Sequence, residues 1–200
     1  REHLIFDAEI FKDMVKLTSF AASVDESKGV LVGVLTEIHP QSVSMVALDG
    51  YRLAVSTEKM NSGQENHFII SAKIINEISK IIAEDGDAEE VEIYLGKKKA
   101  TFRIDTTEIV LRLMEGEYIK YRDIMPTQST TDIVIGRAIL QESIERASLL
   151  AREGKNNLIK MTIKNNLLTI TSRSEEGNVK EEIIMEKEGE DLEIGFNSKF

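Results

Sequence analysis

The strongest constraint on the fold is a pattern that returns about every sixty residues along the chain. At each return a short apolar run, typical of a buried strand, leads directly into apolar residues spaced for one face of a helix. These transitions lie at residues 4–7, 68–71, 133–136 and 192–197. The first three predict a strand that passes straight into a helix, and the fourth begins a further repeat.

Each predicted helix is followed by short segments that indicate antiparallel strands. We expect these strands at residues 29–38, 42–48, 52–57, 91–95, 100–104, 109–113, 158–163, 167–171 and 179–187. Turn residues separate them, as hairpins require; Asn165 and Asn166 are one such pair. The sequence therefore predicts an α+β fold built from repeated β-α-β-β-β units, three of them complete and a fourth begun.

The repeats also predict the domain organisation. Two units make one domain of ordinary size, which we place at residues 1–121. The next segment contains Pro126 and the polar run 127–131, a composition typical of a connection. Residues 122–200 then hold one unit and the start of a second. Because a helix that has only begun is hard to stabilise, we expect the chain to be a fragment of a longer protein.

The charge balance limits the partners of the protein. The chain has 35 acidic and 25 basic residues, a net charge of -10. This excess argues against binding nucleic acid over the whole surface but permits a basic patch on one face. No apolar run approaches the roughly 20 residues of a membrane span. The sequence has no cysteine, which fits a reducing compartment, and we expect a cytoplasmic protein without membrane contact.

The three predicted helices carry basic residues opposite their apolar stripes. At 100° per residue, the outward positions are Lys12, Lys16, Ser19, Lys73, Asn76, Lys80, Arg137, Gln141, Ser148 and Arg152. Ile139 falls in the buried stripe of the third helix. If the repeats stack side by side, their helices form one basic wall suited to phosphate contact without sequence readout. The alternative is that these are ordinary solvated cations of surface helices.

The sequence offers little for catalysis. His3, His39 and His67 are scattered, and none has a metal-ligating partner at a helical spacing. Gly96 begins a Gly-Lys-Lys turn that lacks the upstream glycine of a phosphate-binding loop. We therefore expect no catalytic residues, no metal and no cofactor, and the protein is predicted not to be an enzyme.

One hairpin combines a turn with side chains suited to binding. Residues 46–55, VALDGYRLAV, place an Asp-Gly turn between two apolar runs and follow it with Tyr51, Arg52 and Leu53. This hairpin resembles that of the bacterial DNA polymerase III beta subunit, the replicative sliding clamp. Residues 115–126, EGEYIKYRDIMP, and 192–200, LEIGFNSKF, also resemble segments of that family, in the same order. The resemblance covers the whole chain.

The resemblance implies that residues 1–121 are the middle clamp domain and residues 122–200 an incomplete C-terminal domain. Clamps of this family are head-to-tail homodimers of three-domain subunits that close a ring around duplex DNA. Helices line the hole and sheets cover the outside, so the ring slides without reading bases. Lys28 and Lys73 are then the leading DNA-facing residues, with the outward cations of the helices as further candidates.

The resemblance also implies a hydrophobic pocket for short linear motifs. Its partners would be the DNA polymerase III catalytic subunit, the clamp loader, other polymerases and repair proteins. Carried over position by position, the pocket is formed by Leu31, Leu48, Gly50, Tyr51, Arg52, Leu53, Ile119 and Ile124. The family frequently has His at the position of Tyr51, Pro at Ile119 and a basic residue at Asp123, so these departures are expected to alter partner preference.

Two alternatives are compatible with the same sequence. Leu31, Leu48 and Leu53 are also compatible with ordinary strand core. The same fold is also compatible with a non-enzymatic protein-interaction module that does not encircle DNA.

Overall fold

The computed structural model describes residues 2–86 and 88–200. The chain forms two compact units, residues 1–123 and residues 124–200. The helices are α1 (Ala8–Thr18), α2 (Ala72–Asp85), α3 (Tyr121–Ile124) and α4 (Arg137–Ala151). Short 3₁₀ helices span Ser19–Ala21, Glu26–Val32 and Lys155–Asn157.

The strands follow the repeat along the chain. In the first unit they are β1 (Glu2–Asp7), β2 (Gly33–His39), β3 (Ser42–Leu48), β4 (Leu53–Lys59), β5 (Asn66–Ser71), β6 (Glu90–Leu95), β7 (Lys99–Ile104) and β8 (Thr107–Arg112). In the second they are β9 (Thr131–Val134), β10 (Leu158–Lys164), β11 (Leu167–Ser174), β12 (Gly177–Ile184), β13 (Glu186–Gly189) and β14 (Leu192–Asn197).

The two repeats of the first unit exchange their first strands. One sheet has the order β4-β3-β2-β5, so β5 of the second repeat pairs with β2 of the first. The other sheet has the order β1-β6-β7-β8, so β1 of the first repeat pairs with β6 of the second. All these pairs are antiparallel. Because each sheet needs a strand from both repeats, the pair of repeats is the structural unit.

Helices α1 and α2 pack together over the inner faces of these sheets, where apolar residues at helical spacing meet alternate residues of the strands. Phe11 is the centre of an aromatic group, with its ring 5.6 Å from that of Phe6 and 6.0 Å from that of Phe102. The prediction that Ser19 points outward is wrong. Its hydroxyl is buried at the end of α1 and donates to Oδ1 of Asn76 at 2.8 Å, a partner on α2.

In the second unit, α4 packs on a sheet of order β12-β11-β10-β14, and β9 pairs with β13 in a separate two-stranded ladder. Ser148, predicted to point outward, is buried, and its hydroxyl donates to the carbonyl oxygen of Glu145 at 2.7 Å. Ile139, predicted to be buried, is 48% exposed. The sequence pattern therefore predicts the position of the helix correctly, but it does not predict correctly which face of the helix each of these residues lies on.

Two predicted strands differ in the structure. Residues 29–32, expected to begin a strand, belong to 3₁₀ turns, and β2 starts only at Gly33. Asp25 caps these turns by accepting hydrogen bonds from the backbone and the hydroxyl of Ser27, at 3.0 and 2.7 Å. The segment 179–187, expected as one strand, divides into β12 and β13. The break lies at Met185, whose backbone N–H donates to the Asn166 carbonyl at 3.0 Å.

Candidate functional site

The candidate pocket lies on the outer face of the sheet β4-β3-β2-β5. Side chains alternate along a strand, so Val34 and Ile38 enter the main core while Leu35 faces the other side. There a second apolar cluster forms, separate from the main core. Its buried members are Leu35, Val46, Leu48, Ile69 and Tyr121, and the half-buried ones are Val30, Leu31, Leu53, Met114 and Tyr118.

Three predicted pocket residues therefore share this cluster. Leu48 and Leu53 are paired directly across β3 and β4, and Leu31 reaches the same face from the preceding 3₁₀ turns. Leu48 is buried, whereas Leu31 and Leu53 keep part of their surface exposed. Leu48 therefore fits the alternative of an ordinary strand-core residue. Leu31 and Leu53 fit it less well, because part of each side chain is exposed.

The hairpin turn presents Tyr51 and fixes Arg52. The carboxylate of Asp49 accepts hydrogen bonds from the backbone N–H groups of Tyr51 and Arg52, at 2.9 and 3.1 Å. Gly50 has a φ of 94°, a left-handed conformation that glycine adopts without strain. As a result the Tyr51 side chain is 77% exposed.

Arg52 is oriented by two neighbours. Its Nε donates to Oδ2 of Asp49 at 3.2 Å, and its Nη2 donates to the carbonyl oxygen of Phe20 at 2.7 Å. The guanidinium also lies over the Phe20 ring, 5.4 Å from its centroid. A guanidinium is planar, so these contacts fix the plane in which its N–H donors lie.

The segment after β8 crosses this sheet face and is held by a charged side chain that the sequence analysis missed. Oε2 of Glu37 accepts a hydrogen bond from the Tyr121 hydroxyl at 2.7 Å. The guanidinium of Arg122 donates to both carboxylate oxygens of Glu37, at 3.0 and 2.7 Å. One feature of the sequence points to Glu37: it is a charged residue two positions after Leu35, on the same face of a largely apolar strand.

The titration of these groups follows from their contacts. Burial disfavours the charged form of Glu37, but the hydrogen bonds from Arg122 and Tyr121 outweigh it and hold the pKa of Glu37 below its ordinary value. Burial, helped by the bond to Glu37, raises the pKa of Tyr121 to about 12. Burial also raises the pKa of Tyr118 to about 12. The two phenols are therefore neutral at physiological pH, and the carboxylate is ionised.

The other two predicted pocket residues lie near this segment in sequence. Ile119 is 42% exposed, and its carbonyl oxygen accepts the backbone N–H of Tyr121 at 2.7 Å. Ile124 is 59% exposed and begins the second unit, whereas the other predicted pocket residues all belong to the first. Asp123, the third departure from the family pattern, is exposed.

The predicted DNA-facing cations fall into two groups. Three of them are paired with glutamates: Lys12 with Glu9 at 2.5 Å, Lys73 with Glu26 at 3.1 Å and Lys80 with Glu77 at 2.6 Å. The others are exposed, and within residues 2–86 and 88–200 they form no ion pair: Lys16, Lys28, Arg137 and Arg152. Helix α1 carries two acidic and two basic residues, so its surface is close to neutral.

Two further kinds of functional feature are absent from residues 2–86 and 88–200. Among the described residues no three His, Asp or Glu side chains are grouped as metal ligands. No helix there combines the length and the apolar character needed to cross a membrane.

Comparison with known proteins identifies the family. A model of the DNA polymerase III beta subunit central domain matches residues 6–120, and one of its C-terminal domain matches residues 122–200. The beta sliding clamp of Staphylococcus epidermidis is 36% identical over 195 residues, 96% of this chain and 51% of that protein. The beta sliding clamp of Staphylococcus aureus is 33% identical over the same length.

Comparison with solved structures indicates the same family. The DNA polymerase III beta subunit of Thermotoga maritima matches with a TM-score of 0.94 at 30% identity, over 100% of this chain and 54% of that one. The sliding clamp of Bacillus subtilis matches with a TM-score of 0.90 at 32% identity, over 98% of this chain and 53% of that one. This chain thus spans about half the length of these relatives. The predicted α+β clamp fold is confirmed, and the chain belongs to the DNA polymerase III beta subunit family of sliding clamps.

Proposed function

We propose that this chain forms part of a processivity factor of bacterial DNA replication, a ring that encircles duplex DNA and tethers the replicative polymerase to it. The observation that carries the proposal is the apolar cluster on the outer sheet face, left partly open beside an oriented arginine. Family membership supports the same function, because the relatives of known name are sliding clamps.

In this proposal the outer cluster is the pocket for linear motifs. Leu31 and Leu53 supply exposed apolar surface above the buried Leu48, and burying that surface under a partner's apolar side chains provides binding energy. Arg52 supplies oriented donors for a backbone carbonyl or a polar side chain of the peptide. The partners are the DNA polymerase III catalytic subunit, the clamp loader, other polymerases and repair proteins.

Tyr51 and Ile119 differ from the residues that are frequent in the family at these two pocket positions. A phenol that is 77% exposed replaces the imidazole frequent in the family, and it offers a larger ring for stacking against a partner side chain. Ile119 adds an exposed branched side chain where a proline is frequent. We propose that both change the ranking of partners and leave the pocket in place.

The helices are proposed to face the DNA. The candidate cations of the first unit are Lys12, Lys16, Lys28, Lys73 and Lys80, and those of the second are Arg137 and Arg152. Because glutamates already neutralise three of the lysines, each phosphate contact would be weak. Weak contacts without base recognition suit a ring that is retained by its topology and must slide.

The remaining features of the proposal concern the whole protein. It acts as a homodimer in the cytoplasm, has no catalytic role of its own and uses no cofactor. Residues 1–121 serve as the middle domain and residues 122–200 as part of the C-terminal domain. The near neutrality of α1 favours one competitor, a protein-interaction module of the same fold that does not surround DNA.

The deciding experiment tests topological linkage. The full-length protein is loaded with a clamp loader onto a labelled, nicked circular duplex, and the circle is then linearised by a single cut. We expect the protein to stay on the circle and to leave the linear form. Equal retention on both would indicate ordinary phosphate binding, and no retention on either would favour the interaction module.

A second test addresses the pocket. The sliding clamp of Pseudomonas aeruginosa has been solved with griselimycin bound. We propose that the same compound binds the full-length protein at the outer cluster and competes with a labelled peptide from the polymerase catalytic subunit. Binding of both without competition would show that the compound and the peptide occupy different sites.

A further inference from the structure

We propose that Glu37 is a positioning residue for the peptide pocket. Through Tyr121 and Arg122 it holds residues 118–122 on the outer sheet face, so that Ile119 has one fixed place beside the apolar cluster. We call Glu37, Tyr121 and Arg122 the latch. The inference rests on the proposed function of the pocket and adds a residue that does not itself belong to it.

The geometry of the latch is that of an orienting contact. Arg122 and Glu37 form two parallel hydrogen bonds, at 3.0 and 2.7 Å, an arrangement that fixes the angle between the two groups as well as their distance. The Tyr121 hydroxyl adds a third bond, at 2.7 Å, to the same carboxylate. The Arg122 guanidinium also lies over the Tyr121 ring, 4.6 Å from its centroid. The three side chains thus constrain one another.

The position of Glu37 is unusual for a glutamate. Its side chain is only 18% exposed and points to the same face of β2 as the buried Leu35. Removing a carboxylate from water is costly unless hydrogen bonds replace the lost hydration. An apolar side chain would cover the sheet at lower cost, so packing alone does not account for a charge here. Orientation of the crossing segment accounts for it.

The latch is one of two anchors that flank Ile119. The other is Tyr118, which is half-buried in the outer cluster and whose hydroxyl donates to the Gly33 carbonyl oxygen at 3.4 Å. Between them the chain turns tightly, since the Tyr121 N–H donates to the Ile119 carbonyl and the Asp123 N–H to that of Lys120. With both anchors in place Ile119 has little freedom. Without the latch it is held from one side only.

A pocket wall that is already ordered loses less conformational entropy when a peptide binds. Loss of the latch should therefore weaken peptide binding even though Glu37 is not one of the proposed pocket residues. We expect two results when Glu37 is changed. The affinity for the peptide falls only while Arg122 is present, and the backbone amides of the turn at residues 119–123 exchange faster with solvent.

The experiment uses the full-length protein and a fluorescein-labelled peptide carrying the linear motif of the polymerase catalytic subunit. Glu37→Gln keeps the shape and an acceptor for Tyr121 but loses the charge, and Arg122→Lys keeps the charge but loses the paired donors. We expect each to weaken binding on the order of fivefold, and the double variant to be no weaker than either alone, because both remove one coupled contact. Glu58→Gln on the exposed side of β4 is the control and should bind as the wild type does.

Hydrogen exchange separates positioning from general stability. We expect the amides of Tyr121 and Asp123 to exchange faster in Glu37→Gln, while those of β2 and β3 keep their protection. If Glu37→Gln is too unstable to measure, the same measurement is made on Arg122→Lys, because the Arg122 side chain is more exposed than that of Glu37.

The possible outcomes are distinct. Wild-type affinity in Glu37→Gln and Arg122→Lys would overturn the latch while leaving the pocket intact. Additive losses in the double variant would do the same, because the residues would then act separately. If the wild-type protein binds no peptide, the proposed pocket fails and the latch has nothing to position.

Discussion

The guanidinium of Arg52 lies 5.4 Å from the centre of the Phe20 ring and donates a hydrogen bond to the Phe20 carbonyl oxygen at 2.7 Å. Phe20 belongs to the 3₁₀ turn that follows α1, whereas Arg52 ends the turn between β3 and β4. The end of a helix therefore orients the cation of the hairpin. This relationship links the helical layer to the outer sheet face.

Replacing Arg52 by alanine should weaken peptide binding. The variant loses the oriented donors, and we expect the affinity for the labelled polymerase peptide to fall on the order of tenfold, since arginines are frequent binding hot spots. Fluorescence polarisation with the full-length protein measures it. Arg103→Ala is the matched control, because Arg103 also lies over an aromatic ring, that of Tyr94, but on the other sheet. Equal losses in both variants would mean that Arg52 has no specific role.

Phe11 and Phe20 give a second prediction, on stability. Phe11 is 1% exposed and packs against two other rings, so Phe11→Ala should lower the free energy of unfolding by about 3–5 kcal/mol. Phe20 is 56% exposed, and Phe20→Ala should cost less than about 1 kcal/mol. Urea unfolding followed by circular dichroism compares the two. A Phe20 variant as unstable as the Phe11 variant would contradict the assigned burial.

The sequence predicted the repeat and its order of elements because apolar spacing reports directly on which side of a strand or helix is buried. It did not predict that β1 and β5 change places between repeats. Strand partners depend on tertiary packing, and the same pattern of residues is compatible with pairing inside one repeat or between two. The 3₁₀ turns at Glu26–Val32 were missed for a local reason: Gly29 adopts a φ of 59°, which breaks the extended run.

Some contacts of the candidate site could be predicted from the sequence, and others could not. The ion pairs of Lys12 and Lys80 join residues three apart on one helix, a spacing that the sequence displays. Glu37 and Arg122 are 85 residues apart, so no local pattern could pair them. Ser19 was misplaced for the same reason, because its partner Asn76 lies on another helix. The 100° spacing placed Ser19 outward, and a hydrogen bond to a distant residue holds it inward.

The ion pair between Lys73 and Glu26 makes the DNA-facing surface testable. Glu26→Gln releases Lys73 for phosphate contact, so sliding along DNA should slow, whereas Lys73→Glu adds repulsion and should speed sliding. We expect changes of about twofold in the diffusion coefficient, growing at low salt because these charges are exposed. Single-molecule tracking of the loaded full-length protein measures it.

The matched control for that experiment is Lys97→Glu, which makes the same charge change in the turn between β6 and β7. If Lys97→Glu alters diffusion as much as Lys73→Glu, the effect reflects net charge and not a DNA-facing helix. If neither variant nor Glu26→Gln alters diffusion, Lys73 does not face the DNA.

Tyr118 provides a prediction on pH. Burial raises its pKa from 10.0 to about 12 in the folded protein. A group whose pKa is higher in the folded than in the unfolded state contributes stability that is complete below the unfolded pKa and is lost as the pH rises through the folded pKa. Between pH 10 and about 12, unfolding should therefore become easier as Tyr118 is driven to ionise. In Tyr118→Phe, which has no proton to lose, this part of the pH dependence should be absent. Urea midpoints of both proteins across this range measure the difference, and parallel curves would show that the Tyr118 phenol ionises as readily in the folded chain as in the unfolded one.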